Sequence, residues 1–317
     1  VNKHPIVNFI GSGNYARKIL IPSFSKAGAE FNIISSKNGV GPVFVGKKFN
    51  FKIATTNIND IFDDKESNSI VIASRHDSHA KYLLEGLKSG KNVFVEKPIC
   101  LNLSELEEIK KYLLDKNDYK KPLLMVGYNR RFAPLILNLK NMLNKVNTSK
   151  AYVYTCNAGY IDEKHWTQDP NIGGGRLIGE ACHFVDLLRF LEQSPIKKLA
   201  ITSVPQVKIS SDTFSLQIEF ESGSIGTVHY FSNGNKRYPK ERIEVFGGQK
   251  IMVLDNFRSL KAWGVKGFKI KRNFYQDKGQ LNCVRAFIKA IQSDNSQLIP
   301  YSEIIEVQKF LLEAIKK

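Results

Sequence analysis

No stretch of about 18 consecutive apolar residues, the length a membrane-spanning helix needs, occurs in the 317-residue chain. Cysteine is scarce. Cys100, Cys156, Cys182 and Cys283 form neither a C-x-x-C pair nor a disulfide framework, which points to a reduced, cytoplasmic setting. The first apolar run has the length of a strand, so no signal peptide is read. Val1 in place of a methionine reads as a trimmed chain or as part of something longer. Internal repeats, low-complexity tracts and a flexible linker are all missing. Acidic residues are in deficit, 30 against 47 lysines and arginines, giving a formal charge of +17. That excess is scattered, with no basic helix stripe and no basic–aromatic ladder, so nucleic acid is not the expected partner. A basic surface remains, able to attract anionic ligands such as a dinucleotide or a phosphorylated or nucleotide-linked substrate. His165, His183, Glu180 and Asp186 lack any recognised metal-ligand spacing, so no metal site is expected.

The N-terminal part is informative. Ile6 to Ile10 is a short apolar run, followed at once by Gly11-Ser12-Gly13-Asn14-Tyr15-Ala16. From Ala16 a helical pattern opens, with Ile19, Leu20, Phe24 and Ala27 at spacings of three and four. Strand, Gly-rich turn and helix form a phosphate-binding unit: the glycines admit backbone to a pyrophosphate, and the helix start offers N–H groups to it. Ala16 stands where a third glycine is usual, and its methyl still permits close helix–strand packing. A second strand over Phe31–Ser36 ends without the acidic residue that would hold a ribose 2′-hydroxyl. Ser36 and Lys37 stand there instead, a hydroxyl and an ammonium that suit a 2′-phosphate, so the cofactor reading is NAD(P) with a lean to NADP.

Further strands are read at Ser69–Ala73, Asn92–Val95 and Leu123–Gly127, alternating with helices over His79–Leu87 and Leu101–Leu114. Alternation of this kind argues a doubly wound parallel sheet, in which ligands bind beyond the carboxyl ends of the strands. Arg75, His76, Glu96, Lys97 and the segment Tyr128–Arg131 follow strand ends and are expected on one rim. Arg75, His76, His79, Glu96 and Lys97 join the phosphate turn as cofactor candidates. The character changes near residue 130, giving a dinucleotide-binding domain over 1–128 and a substrate and oligomerisation domain over 129–317. The final helix is a candidate to pack back on the first domain.

In the second domain, Thr213–Phe220 alternates cleanly, turns at Glu221–Ser224 into a strand over Ile225–Phe231, and is followed by a hairpin over Ile243–Leu254. Such strands predict a large, mostly antiparallel sheet with one open face, either solvated or packed on another subunit. A helix follows Gly173-Gly174-Gly175. Leu177, Ala181, Val185 and Leu188 form its expected buried stripe, while Arg176, Glu180 and His183 share another face. That face suits a polar substrate, with Glu180 orienting His183; taken alone, the helix suits a satisfied core histidine better. Tyr128, Asn129, Arg130, Arg131, His165, Trp166 and Arg176 are candidates for sugar hydroxyls or a phosphate. For Arg130 and Arg131 ion pairing is the competing use, and for Trp166 the core.

The motifs GSGNYA at 11–16, HDSHAKYLLEGLKSGKNVFVEKP at 76–98, GYNRRFAP at 127–134 and GGGRLIGEACHFVD at 173–186 together resemble the Gfo/Idh/MocA oxidoreductases. The resemblance covers the whole chain and lies nearest a subgroup found beside surface-polysaccharide genes, sometimes fused to an alcohol-dehydrogenase-like domain. It implies a Rossmann domain and an open-sheet α/β domain that forms homodimers or homotetramers. It also implies a lysine at Lys97, often before a cis proline, and a catalytic histidine at His183. Many relatives place an aspartate four residues before that histidine; here Gly179 stands there and Glu180 is three before. Tyr160 is a candidate to share the acid–base work. The expected activity is hydride exchange between NAD(P) and a carbinol of a sugar or nucleotide-sugar, with Lys97 stabilising the oxygen and His183 moving the proton. The alternatives are a glycosidase with a retained NAD and a non-enzymatic dinucleotide-binding sensor.

Overall fold

The computed structural model describes residues 4–37, 40–114, 121–204, 212–293 and 297–315. Two compact units divide the chain, Val1–Tyr128 with Gln280–Ile304, and Asn129–Gly279 with Ile305–Lys317.

The first unit is built on six parallel strands: β1 (Ile6–Ile10), β2 (Glu30–Ser35), β3 (Ile53–Thr55), β4 (Ser69–Ile72), β5 (Asn92–Val95) and β6 (Leu124–Val126). Their order is β3-β2-β1-β4-β5-β6, so the sheet winds both ways from the β1/β4 junction, the doubly wound arrangement expected. β4 and β6 are buried throughout, which is why their sequences read as unbroken apolar runs rather than alternating ones. Helices α1 (Ile21–Lys26), α2 (Val40–Phe49), α3 (Asn59–Asp63), α4 (His79–Lys88) and α5 (Leu103–Leu114) connect the strands. The first helix opens as a π-turn over Ala16–Leu20. Phe9, Phe24 and Phe94 form an edge-to-face cluster that Phe287 joins, 5.7 Å from Phe94.

Beside Phe9 in β1 stands a fully buried polar residue, Asn8. Asn8 of β1 accepts the Ile33 N–H at 2.9 Å, where the β1–β2 register shifts, and donates to Asp64 and Ser67, both at 2.8 Å. A shifted register leaves backbone groups without ladder partners, and the amide side chain supplies one.

The second unit carries helices α6 (Pro134–Leu143) and α7 (Gly175–Glu192) and an eight-stranded sheet. Its strands are β7 (Ala151–Asn157), β8 (Ile196–Ser203), β9 (Phe214–Phe220), β10 (Ile225–Phe231), β11 (Glu241–Gly247), β12 (Lys250–Asp255), β13 (Ser259–Trp263) and β14 (Lys271–Arg272). The order is β14-β13-β12-β11-β7-β10-β9-β8, with every pairing antiparallel except β7 with β10. One face is covered: Tyr152, Tyr154, Leu216, Ile218, Val228, Tyr230, Ile243 and Val245 are all buried. Helices α8 (Gln280–Ser293) and α9 (Tyr301–Ile315) end the chain.

Candidate active site

The phosphate turn has the form its sequence predicts. Gly11 adopts φ +106°, and a Cβ there would lie 2.4 Å from the Ala73 carbonyl oxygen, so the turn after β1 rests directly on the chain leaving β4. Its N–H donates to the Ser35 carbonyl at 2.8 Å, tying the turn to the end of β2 as well. Gly13 differs. Among the described residues nothing lies within 4 Å of where its Cβ would be, and it is exposed with Asn14 and Tyr15 at the helix start. One glycine is thus required by the fold, and the other leaves open space above a helix N-terminus, a cradle that fits a dinucleotide pyrophosphate. Ser36 is half-buried and Lys37 exposed just beyond β2.

Glu96, Lys97 and Pro98 follow β5, and the Lys97–Pro98 peptide bond is cis. The Glu96 carboxylate is buried against Gly127, where a Cβ would approach its Oε1 to 2.6 Å, so a larger residue at the β6 end would displace that carboxylate. Arg75 is exposed and His76 half-buried at the end of β4.

His79 sits elsewhere than expected. It is 1% exposed, with Nδ1 at 2.8 Å from the Pro98 carbonyl and Nε2 at 3.1 Å from the Ser74 carbonyl. Both ring nitrogens face backbone, so His79 reaches a cofactor only through the two loops it joins. Burial pushes its pKa down, against the pull of the two carbonyls, and the Lys97 charge adds to the fall.

In the second unit, α7 departs from the expected single buried stripe. Arg176, His183, Asp186 and Arg189 are buried along with its apolar residues, while Leu177 and Glu180 are half-buried. A helix buried on nearly every side must pair its polar groups internally. Asp186 receives Arg131 from Nε (2.8 Å) and Nη2 (2.6 Å), and Arg189 meets Glu306 at 3.1 Å. Arg130 donates to Glu241 from Nε (2.9 Å) and Nη2 (3.0 Å), and Lys278 and the Tyr154 hydroxyl complete that carboxylate's partners. Burial alone would raise the Glu241 pKa; Arg130 and Lys278 outweigh it and hold the carboxyl well below its usual range. Arg130 and Arg131 are therefore occupied by carboxylates inside the unit, and neither is carried forward as a substrate ligand. Asn129 donates to the Lys278 carbonyl at 2.7 Å, and Tyr128 is fully buried.

Arg176 organises a different corner. Its Nε donates to the Tyr230 hydroxyl and its Nη1 to the Gly159 carbonyl, both at 2.7 Å. Glu180, one turn along the helix, stands near enough to Arg130, Cys156 and Tyr230 for its charge to act on each. Burial, with the charge of Glu241, pushes the Cys156 thiol up to about 12 and keeps it protonated. Tyr160, next to the anchored Gly159, is exposed. His165 is exposed and caps the short Trp166–Gln168 turn, and Trp166 is half-buried. Tyr230, Gly159 and Glu241 escaped the sequence reading because their partners lie 17 to 111 residues away.

Among the described residues no helix is long and apolar enough to cross a membrane, and no group of three or more His, Cys, Asp or Glu can hold a metal ion.

Comparison with known proteins adds to this geometry. Residues 7–128 match a family model described as an oxidoreductase family with an NAD-binding Rossmann fold, and residues 146–253 match its GFO/IDH/MocA C-terminal domain. The myo-inositol 2-dehydrogenase of Thermotoga maritima is 23% identical over 253 residues, 74% of this chain and 72% of that one. The levoglucosan dehydrogenase of Pseudarthrobacter phenanthrenivorans is 22% identical over 258 residues, 70% of this chain but 64% of the relative. Among solved structures, levoglucosan dehydrogenase in complex with NADH and levoglucosan superposes with a TM-score of 0.82 at 18% identity, covering 99% of this chain and 96% of that one. GenD2 from gentamicin A biosynthesis, in complex with NAD, gives 0.81 at 17% identity, with coverages of 98% and 93%. At these identities the structural likeness is one of fold.

Proposed function

The chain belongs to the Gfo/Idh/MocA oxidoreductase family, and on that premise we propose that it is an NAD(P)-dependent dehydrogenase or reductase acting on a carbinol of a sugar or nucleotide-linked sugar. The observation that carries the reading is within the first unit. The order β1-β4-β5 sets Lys97 two strands along from the Gly11–Gly13 turn, on the rim where doubly wound sheets bind their ligands. The relatives named for myo-inositol and levoglucosan support a polyhydroxylated substrate.

A bound nicotinamide would supply the acceptor or donor for hydride. The chain's own residues have the remaining work. Gly13 and the N–H groups of the following helix hold the pyrophosphate, with Ser12, Asn14, Tyr15 and Ala16 shaping the turn and Arg75, His76 and Glu96 bordering it. Lys97 hydrogen-bonds the carbinol oxygen and stabilises negative charge as it develops. His183 takes the hydroxyl proton as general base and returns it in the reductive direction. Glu180, three residues before His183 on α7, orients it, and Tyr160 is a second proton carrier. Arg176, His165 and Trp166 remain for the sugar. Ser36 and Lys37, with no acid beside them, favour a ribose 2′-phosphate over a free 2′-hydroxyl, a lean towards NADP.

The assembly reading is a homodimer or homotetramer through the open sheet face. Trp263, Ile251, Phe246, Ala151 and Ile225 stand opposite one another across five adjacent strands, and so share a face. Four of them are 54%, 37%, 40% and 55% exposed. A contiguous apolar row of this kind suits a second copy.

The test is turnover and cofactor binding in Lys97→Ala and His183→Ala. Each should lose about 10²-fold or more in turnover with dinucleotide affinity near wild type. Unchanged turnover in both would sink the assignment. A cofactor that co-purifies and does not exchange would favour the glycosidase.

A further inference from the structure

The loop joining β10 to β11, Ser232–Lys240, reads Ser-Asn-Gly-Asn-Lys-Arg-Tyr-Pro-Lys. It holds three cations, Lys236, Arg237 and Lys240, and no acid, and all three cations are exposed. Among the described residues none of the three pairs with a carboxylate, whereas Arg130, Arg131, Arg189 and Lys278 of the same unit all do.

A buried side chain shapes the loop. Asn157, at the end of β7, is 9% exposed; its Nδ2 donates to the carbonyls of Asn235 (2.8 Å) and Tyr238 (3.3 Å). Its backbone N–H donates to the Lys240 carbonyl at 2.7 Å, and the Arg237 N–H is received by the Asn235 side chain at 2.9 Å. Gly234 passes so close that a Cβ there would lie 2.0 Å from the Asn157 oxygen. The backbone is thus held by bonds that leave the cationic side chains pointing into solvent.

The loop adjoins the corner that Arg176 organises. The Lys236 stem runs 3.3–3.9 Å from the position a Gly159 Cβ would occupy, and Gly159 is the residue whose carbonyl Arg176 grips. Lys240 and Glu180 both act electrostatically on the Cys156 thiol. Arg176 and His183 are two helical turns apart on one side of α7.

We propose that the Lys236–Arg237–Lys240 loop is an anion-binding rim of the substrate site, so that the sugar-type substrate carries a carboxylate or phosphate. The assignment of the rim to a substrate rests on the dehydrogenase reading above. A guanidinium flanked by two ammonium groups recognises either anion, the arginine by paired hydrogen bonds and the lysines as point charges. Arg176, whose Nε and Nη1 donate to Tyr230 and Gly159 in the interior, positions the neighbouring turn rather than meeting the anion.

The experiment is calorimetric titration of the NAD-saturated protein with glucose, glucuronate, glucose 6-phosphate and UDP-glucose. Wild type is set beside the triple variant Lys236→Ala/Arg237→Ala/Lys240→Ala. The three side chains are exposed, and a melting curve checks that the variant folds. At least one anionic probe should bind about tenfold or more tighter than glucose, with the advantage lost in the triple variant and reduced at high salt. Glucuronate against the phosphates tells which anion is read. The proposal is overturned if no anionic probe outbinds glucose, or if the advantage survives in the triple variant. Failure of the dehydrogenase reading would show separately, as absence of dinucleotide binding, with the response to glucose 6-phosphate still measurable on the dinucleotide-free protein.

Discussion

The Nδ1 atom of His79 lies 2.8 Å from the carbonyl oxygen of Pro98, while its other ring nitrogen faces the carbonyl of Ser74. One imidazole therefore joins the end of β4 to the residue after Lys97. Removing it should loosen both loops. His79→Ala is expected to lose about 1–3 kcal/mol in urea unfolding, from the one hydrogen bond a neutral ring donates and the emptied core position. If Lys97 acts as proposed, turnover falls with it, and His79→Gln, which retains one donor, recovers part of both. Equal stability of wild type and His79→Ala would show that the two contacts do not matter.

The same histidine sets a pH dependence. Its folded-state pKa lies below the ordinary 6.5 because burial, reinforced by Lys97, disfavours the charged ring. The unfolded chain therefore binds this proton first as pH falls, so the stability associated with a neutral His79 is present above 6.5 and is lost below it. Asp77 pulls the other way and limits the shift. Unfolding free energy measured from pH 7.5 to 5.5 should decline in wild type and decline less in His79→Gln. A matching slope in both would exclude His79 as the source.

Arg130 and Glu241 form a buried pair that also holds Lys278 and Tyr154. Breaking such a pair leaves a charge stranded, so Glu241→Gln should lose about 3–5 kcal/mol. Replacing both charges by apolar residues, Arg130→Met with Glu241→Leu, should lose less than Glu241→Gln alone. The double-mutant cycle in urea reads this directly, and additive losses would contradict the pairing.

How much of this was legible in the sequence depended on distance along the chain. The phosphate turn and the β9–β10 and β11–β12 hairpins were readable because each is specified by neighbours: a strand running into glycines, or an alternation such as Phe214, Leu216, Ile218 and Phe220 broken by a turn. The doubly wound sheet and the open antiparallel sheet followed from those patterns. Helix α2 was not readable, since Val-Gly-Pro-Val-Phe-Val-Gly carries few helix-forming residues. The fates of Arg130 and Arg131 were not readable either. A buried arginine and a ligand-binding arginine look alike until Glu241 and Asp186, 111 and 55 residues away, are brought beside them. Helix α7 misled for a related reason. Asp186 and Arg189 lie outside the expected buried stripe, and their burial depends on Arg131 and Glu306, which are distant in the chain.

Gly11 and Gly13 should separate by function although they share one motif. Gly11→Ala puts a methyl at φ +106° and 2.4 Å from the Ala73 oxygen, so the fold must shift. Gly13→Ala meets no atom of the described residues within 4 Å. We expect Gly11→Ala to lower the melting temperature clearly, and Gly13→Ala to leave it near wild type while weakening dinucleotide binding about tenfold or more. Unimpaired binding in Gly13→Ala would mean that the open space above it is not where the pyrophosphate lies.

The proposed lean towards NADP rests on Lys37. It is exposed beyond the end of β2, beside half-buried Ser36, where no acid competes for a ribose hydroxyl. An ammonium there attracts a 2′-phosphate and is indifferent to a 2′-hydroxyl, whereas a carboxylate accepts from the hydroxyl and repels the phosphate. Lys37→Asp should therefore reverse the sign of the preference, weakening NADPH by about tenfold or more while leaving NADH equal or tighter. Raised salt should erode NADPH binding to wild type more than NADH binding, because one extra charged contact is being screened. Parallel titrations of wild type and Lys37→Asp with the two dinucleotides read both effects. Equal affinities in wild type, unmoved by the substitution, would place Lys37 among the solvated lysines of a basic surface and leave NAD as the cofactor.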